Sequence, residues 1–280
     1  MKNKQLTAKK YGFTIIELSI VLIIISLISG GIFLGSNLVS QAKLTAARQM
    51  TSKSPVLDID GLVFWFETTI LKNANQHKIS SWNNLADFKE PAEQALADNQ
   101  PTYIEDVIND LPVLRFDDTA DFLTFDGSSL INNNYTIFIV AARNSNKVDN
   151  MILGGTATTA NNNLQIGYAT NTSFIVKHYA EVSNINYVVP AYTTPKFAIH
   201  SIEFNTNDGK TYYENGDLKA EAIDLANKTS LAGWNGAAIG RFDTKYFQGD
   251  IAEIIMFNRA LSDDERQDVE QYLSKKWKIV

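Results

Sequence analysis

Hydrophobic and polar positions divide the chain into three stretches. From Phe13 to Leu34 apolar residues follow one another almost without interruption. As a helix, these roughly 22 residues would span about 30 Å at about 1.5 Å per residue, the thickness of a bilayer core. From Ser36 to Met50 the apolar residues recur at roughly helical spacing with no proline, so the same helix is predicted to run on to residue 52. Pro55, preceded by Ser52-Lys53-Ser54, is the predicted break. Gly31 and Gly35 form a small-xxx-small pair that permits close helix approach.

Beyond Leu57 the pattern changes to short β-branched and aromatic runs. Strands are predicted over residues 61–66, 111–116, 122–125, 135–142, 163–169, 173–179, 197–204, 237–241 and 249–257. Tyr212 to Leu218 reads as a hairpin, with Asn215-Gly216 supplying the two positive-φ positions of a tight turn. Many short strands with no helix between them predict an antiparallel two-sheet sandwich. The chain closes on a predicted helix. Ser262-Asp263-Asp264-Glu265 forms a capping box, Leu261 precedes it as a staple, and Val269, Tyr272, Leu273 and Trp277 share one face.

Composition sharpens this picture. The 280 residues contain no cysteine, which excludes disulfides and thiolate metal sites. The region after the helix, about 220 residues, is long enough to bury a full core without such staples. Lys2, Lys4, Lys9 and Lys10 precede the apolar run with no acid among them, while the whole chain carries a net charge of −6. The basic flank predicts an N-in orientation, with the C-terminal region outside the cytoplasm. The acidic remainder argues against nucleic acid as a direct partner.

One residue does not fit a plain membrane span. Glu17 sits four residues into the apolar run. A carboxylate at the centre of a spanning helix costs about 2.5–3.5 kcal/mol, and intramembrane acids are functional candidates.

The segment Gly12-Phe13-Thr14-Ile15-Ile16-Glu17 resembles the processing site of type IV prepilins and type II secretion pseudopilins. The resemblance implies a leader of residues 1–12, cut after Gly12 by a prepilin peptidase, with N-methylation of the new amine on Phe13. It implies a membrane and assembly helix over residues 13–52, in which Glu17 is the assembly acid. Pairing of Glu17 with the Phe13 amine of a neighbouring subunit would lower the cost of both charges and set register among apolar helices; an intrachain contact at helical spacing is the alternative. The implied partners are other pilin-like subunits and, before assembly, the bacterial inner membrane, with the head in the periplasm and then on a pilus or the cell surface. A pseudopilin of a secretion or DNA-uptake machine shares every one of these features. A secretory signal peptide cut after Ser40-Gln41-Ala42 is a third reading, although the apolar run is longer than the usual 7–15 residues.

Residues 53–280 resemble bacterial laminin G-like domains of the concanavalin A-like sandwich superfamily. The likeness lies in residues 61–66, Ser81-Trp82-Asn83, residues 111–123, residues 135–142, Asn215-Gly216 and the stretch from Phe247 to Ser262. It implies a jelly roll and a head that binds sugar, protein or calcium, or serves only as structure. The fold class is thus mainly β, a jelly-roll head with a C-terminal helix behind a long N-terminal helix. A bulky head suits a minor subunit, since it is hard to repeat along a tight fibre.

Enzymatic chemistry is not expected. Asp250 and Glu253 are three apart, so in a regular strand they point to opposite faces. His77, His178 and His200 lack metal-ligand spacing, and there is no glycine-rich phosphate loop. For binding, two readings stand side by side. Asp117, Asp118, Asp121 and Asp126 serve turn chemistry or supply oxygen ligands to calcium. Trp82 and Trp234 belong to the core or stack on a sugar.

Overall fold

The computed structural model describes residues 15–86, 90–156, 159–180, 184–224, 228–234 and 236–280, and of residues 17 and 27–37 the backbone only. The chain divides into two compact units, residues 1–43 and 44–280.

The helix α1 runs Ile15–Ser52 and ends three residues before Pro55, where a 3-10 turn, Pro55–Asp58, takes over. From Ile20 to Ile25 its surface is apolar all round. The six consecutive side chains Ile20 to Ile25 are each 44–59 % exposed. Six positions cover more than a full turn, so no polar face remains, and a helix of this kind needs an apolar surrounding. The serines that flank this stretch lose no hydrogen bond there, because Ser19 and Ser26 each donate to the carbonyl one turn back, at 2.7 Å. Among the described residues no helix is long and apolar enough to cross a membrane. The described side chains from Ile15 to Ser26 span only about 18 Å.

The second unit takes in residues 44–52 of α1 together with the β-rich head. Its strands are β1 (Leu62–Glu67), β2 (His77–Lys78), β3 (Ser81–Trp82), β4 (Ala92–Glu93), β5 (Thr102–Ile108) and β6 (Leu111–Asp117). Then come β7 (Leu123–Thr124), β8 (Tyr135–Arg143), β9 (Asn150–Gly154), β10 (Leu164–Thr170), β11 (Ser173–His178), β12 (Ile185–Val188) and β13 (Ala198–Asn205). The last are β14 (Gly209–Glu214), β15 (Asp217–Ala222), β16 (Ala238–Ile239), β17 (Arg241–Phe242), β18 (Lys245–Tyr246) and β19 (Gln248–Phe257), followed by the helix α2 (Asp263–Trp277). One sheet has the order β15-β14-β13-β8-β19-β6-β5-β2, with β1 also on β19; the other has the order β12-β11-β10-β9-β16-β7-β4-β3. All described pairings are antiparallel, giving the two-sheet sandwich with a C-terminal helix that the pattern predicts.

The first sheet is covered on both faces, which explains why β8 and β19 are almost uninterrupted apolar runs rather than alternating ones. Ile137, Ile139, Ile251, Ile254 and Met256 face the second sheet and join Phe66, Trp82, Phe125 and Phe174 in the main core. Phe138, Val140, Ala252, Ile255 and Phe257 face the other way, onto Ala47 of α1 and Val269, Leu273 and Trp277 of α2. The capping box at the start of α2 forms as expected: Ser262 Oγ accepts from the Glu265 amide at 3.3 Å, and Glu265 accepts from the Ser262 amide at 2.9 Å. The Asn215-Gly216 turn also forms, with φ of 55° and 83°.

Three longer strands, β5, β9 and β12, are not marked by the hydrophobic pattern. In β5 the alternation is broken by Glu105 and Asp106, and Asp106 takes φ of 54° where the pairing with β6 is irregular. A local polar bulge hides the strand from a period-two reading.

Candidate functional site

Gly12 and Phe13, the expected processing residues, lie outside the described residues. Glu17 lies in the first turn of α1, and its side chain is likewise outside them. The well-defined chemistry gathers instead where the end of α1 enters the head.

There β19 changes partner. Along one edge it pairs with β8 throughout; along the other it pairs with β6 over residues 248–251 and with β1 over residues 253–257. The change coincides with a bulge, since Ile251 lies opposite Ala141 and Glu253 opposite Val140, leaving Ala252 as the extra residue. Thr68 ties the junction by donating from its amide to the Ala252 carbonyl at 3.2 Å and from its hydroxyl to the Pro112 carbonyl at 2.7 Å.

The bulge corrects one sequence expectation. Asp250 and Glu253 do not point to opposite faces. Asp250 meets Arg115, a neighbour of Val113, which packs on the helix side, and Glu253 meets α2 on that same side. Neither is open to a substrate. Asp250 is held by a two-pronged bond from Arg115 at 2.7 and 2.8 Å, and Glu253 is sealed in a polar network.

That network centres on Lys276, in the last turn of α2. Its ammonium donates to Glu67 Oε1 at 2.6 Å, Glu253 Oε2 at 2.9 Å and Thr51 Oγ1 at 2.9 Å, with the Tyr272 hydroxyl at 3.0 Å. Glu253 also accepts from the indole nitrogens of Trp65 and Trp277, both at 2.7 Å, and from the Tyr272 hydroxyl at 2.9 Å. The other carboxylate, Glu67, accepts from the amides of Thr69 and Ile70 at 2.9 and 3.0 Å. The side chains of Lys276, Glu67 and Glu253 are all 0 % exposed. Burial pushes the Glu253 carboxyl up, against the pull of Lys276. One turn earlier on α1, Arg48 donates to the carbonyls of Thr69 and Leu71 at 2.6 and 3.4 Å. With its acceptors filled and no solvent access, the cluster has no free group for acid–base work. It ties the end of α1 to the head. Its sequence signal is a carboxylate inside each of two apolar strands, a sign of paired burial rather than of a surface.

The acidic turn after β6 is built on lysines. Asp121 is buried, accepts from the Asp117 amide at 3.2 Å and lies 3.4 Å from Lys78 Nζ. Burial, with Asp117 beside it, pushes its carboxyl up to about 6. Asp117 accepts from the Thr119 amide, Asp118 pairs with Lys147, and Asp126 caps the 3-10 turn Gly127–Leu130 through the Ser128 amide. Among the described residues no group of three or more His, Asp or Glu side chains is set to hold a metal ion.

Of the two readings of Trp82 and Trp234, the structure places both rings in the core. Trp82 is 0 % and Trp234 3 % exposed. Their indoles donate to the carbonyls of Glu67 and Gly154 at 3.1 and 2.7 Å. Phe66 packs on Trp82 and Phe125 on Trp234, so neither ring has a face left for a sugar. The histidines stand apart. His77 is exposed, His178 meets the Tyr135 hydroxyl at 2.9 Å, and His200 meets the Tyr212 hydroxyl at 2.8 Å. Burial pushes His200 down to about 3, which keeps it neutral.

Comparison with known proteins bears on both units. Residues 7–33 match the family model of the prokaryotic N-terminal methylation motif. No curated protein matches the chain. Among solved structures, the chain is similar to Trypanosoma rangeli sialidase in complex with sialic acid, at 13 % identity and a TM-score of 0.53, over 78 % of this chain and 33 % of that one. It thus spans about a third of the length of that sialidase. It is also similar to domain 4 of an extracellular GH43 arabinanase from Geobacillus stearothermophilus in complex with arabinotriose, at 14 % identity and a TM-score of 0.54, over 75 % of this chain and 98 % of that one. A third likeness is to the ligand-binding domain of botulinum neurotoxin serotype D in complex with N-acetylneuraminic acid, at 15 % identity and a TM-score of 0.54, over 78 % and 52 %. At these identities the likeness is one of fold, a β-sandwich. The chain carries a prokaryotic N-terminal methylation motif at residues 7–33, ahead of a two-sheet β-sandwich head.

Proposed function

We propose that this chain is a minor, adhesive subunit of a type IV pilus or pilus-like fibre. It is cut after Gly12, methylated on Phe13 and inserted in the bacterial inner membrane through residues 13–34. Assembly proceeds through Glu17, and the head, at first in the periplasm, is carried out on the fibre, where it binds glycan rather than catalysing a reaction. The observation that carries this reading is the methylation motif at residues 7–33, together with a helix whose side chains from Ile20 to Ile25 are apolar on every side. Two further observations support it. The end of α1 is tied to the head through Arg48, Thr51 and Lys276, so load on the helix passes directly into the sandwich. Similar sandwiches are solved with sialic acid, arabinotriose and N-acetylneuraminic acid bound to them or to the chains that contain them.

The test is the mature N-terminus and the fate of Glu17. N-terminal sequencing and intact mass should give Phe13 with one added methyl group, and Glu17→Ala should stay in the membrane fraction while the wild type enters sheared fibres. A mature chain beginning at Lys43 would overturn the reading, and Glu17→Ala assembling as well as the wild type would remove the role of that acid.

A further inference from the structure

At one end of the sandwich the last residues of β8 and β14 and the first of β13 come together, and a cavity of ≈ 170 Å³ opens between them and the loop that follows β12. At about 30 Å³ per water it has room for five or six waters, or for a carboxylate and much of a sugar ring. Its wall includes Arg143, Tyr168, Tyr192, Lys196, Glu214 and Asn215.

Arg143 is the unusual member. It is only 7 % exposed, yet among the described residues no carboxylate lies within ion-pair distance of it, whereas Arg266, 5 % exposed, pairs with Asp263 and Glu270. Its guanidinium donates to the carbonyls of Asn171 and Pro190 at 2.8 and 2.7 Å. It lies 4.5 Å from the centre of the Tyr168 ring and 5.8 Å from that of Tyr192. A buried cation without a counter-ion is costly, and neutral carbonyls and ring faces offset only part of that cost. Lys196, on the rim, likewise has no ion pair among the described residues, and the Tyr168 hydroxyl makes no hydrogen bond there. The single acid in the wall, Glu214, accepts from the Tyr212 hydroxyl at 3.2 Å.

We propose that this pocket receives the carboxylate of an acidic sugar, with Arg143 and Lys196 taking the charge. A planar guanidinium fork suits a carboxylate better than a neutral hydroxyl. The half-buried ring of Tyr192 forms a wall for the sugar ring, and Glu214 and Asn215 accept and donate to its hydroxyls. The assignment rests on the reading of the head as a glycan-binding module. It lies apart from Trp82, Trp234, Asp117 and Asp121, the binding candidates read from the sequence. The competing account gives Arg143 a purely structural role, pinning residues 190–192 through the Pro190 carbonyl.

Saturation-transfer NMR on the full chain in detergent separates the two. The acidic probes are glucuronate, galacturonate and N-acetylneuraminate; glucose and galactose are their neutral counterparts, and acetate is the bare carboxylate. Transfer is expected to at least one acidic sugar and not to the neutral sugars or acetate. Arg143→Gln should weaken it by about tenfold or more, the loss of a charge-assisted bond. Lys196→Ala, a change at an exposed side chain that leaves the fold alone, should weaken it several-fold with an unchanged melting temperature, so the outcome does not depend on Arg143→Gln folding. Acetate binding as well as the sugars would overturn the sugar assignment. Neutral sugars binding with equal strength in both variants would overturn the Arg143 site and leave the glycan-binding head standing. No transfer to any sugar would overturn both.

Discussion

Glu67 and Glu253 stand directly opposite each other across the β1–β19 ladder, and both are buried. Like charges in that position repel. A single ammonium, Lys276 Nζ, resolves the conflict from 2.6 Å and 2.9 Å. The arrangement joins the strand after α1, the last long strand and the last helix, together with Thr51 from α1 itself.

Removing the cation from this cluster leaves two carboxylates without a counter-charge. Lys276→Met is therefore expected to destabilise the head by about 3–5 kcal/mol, the usual cost of breaking a buried pair from one side. The triple change Glu67→Gln, Glu253→Gln, Lys276→Met, which removes all the charge together, should recover much of that loss. Urea denaturation of the three proteins measures both; a single variant as stable as the wild type would show that the cluster carries no weight.

The link from α1 is narrower. Thr51→Val deletes the hydroxyl that accepts from Lys276 at 2.9 Å while keeping the shape of the side chain. The expected cost is about 1 kcal/mol. Hydrogen exchange should accelerate at residues 44–52 and remain unchanged in β10 and β11. Uniform acceleration would argue against a local tie.

Asp121 gives the head an unusual pH response. Its carboxyl is pushed up to about 6, above its ordinary value of 3.8, so between these limits the folded state binds more protons than the unfolded one. Stability contributed by this group falls as pH rises from about 4 to about 6. Thermal melts of the wild type should show that downward component, and Asp121→Asn should flatten it.

The cap of α2 responds in the opposite sense. Glu265 is held down to about 2, first by its bond from Arg259 and then by the Ser262 amide. Its contribution is present above the ordinary value of 4.5 and is lost as pH falls toward 2. Ser262→Ala should cost about 1 kcal/mol at neutral pH, read as a lower denaturation midpoint with no change in slope.

The features legible in the sequence are those carried by neighbours along the chain. The apolar run, the methylation motif, the Asn215-Gly216 turn and the capping box each depend on residues close to one another along the chain. Long strands such as β8 and β19 also declare themselves, because burial on both faces makes them continuous apolar runs.

The site chemistry was decided elsewhere. Trp65 and Glu253 are 188 positions apart, and only the β1–β19 pairing brings them together. One extra residue at Ala252 rotates Glu253 onto the face of Asp250, a change no period-two reading can register. Trp82 and Trp234 look the same in sequence whether they line a sugar site or fill a core; the packing of Phe66 and Phe125 on them makes them core. Arg143 becomes notable only once the fold buries it without a carboxylate. Order along the chain is enough to show a long apolar helix and a sandwich head. The tertiary structure alone decided which charges are spent holding the two sheets and helices together and which are left facing a cavity, because charge pairing depends on distance in space, not on order along the chain.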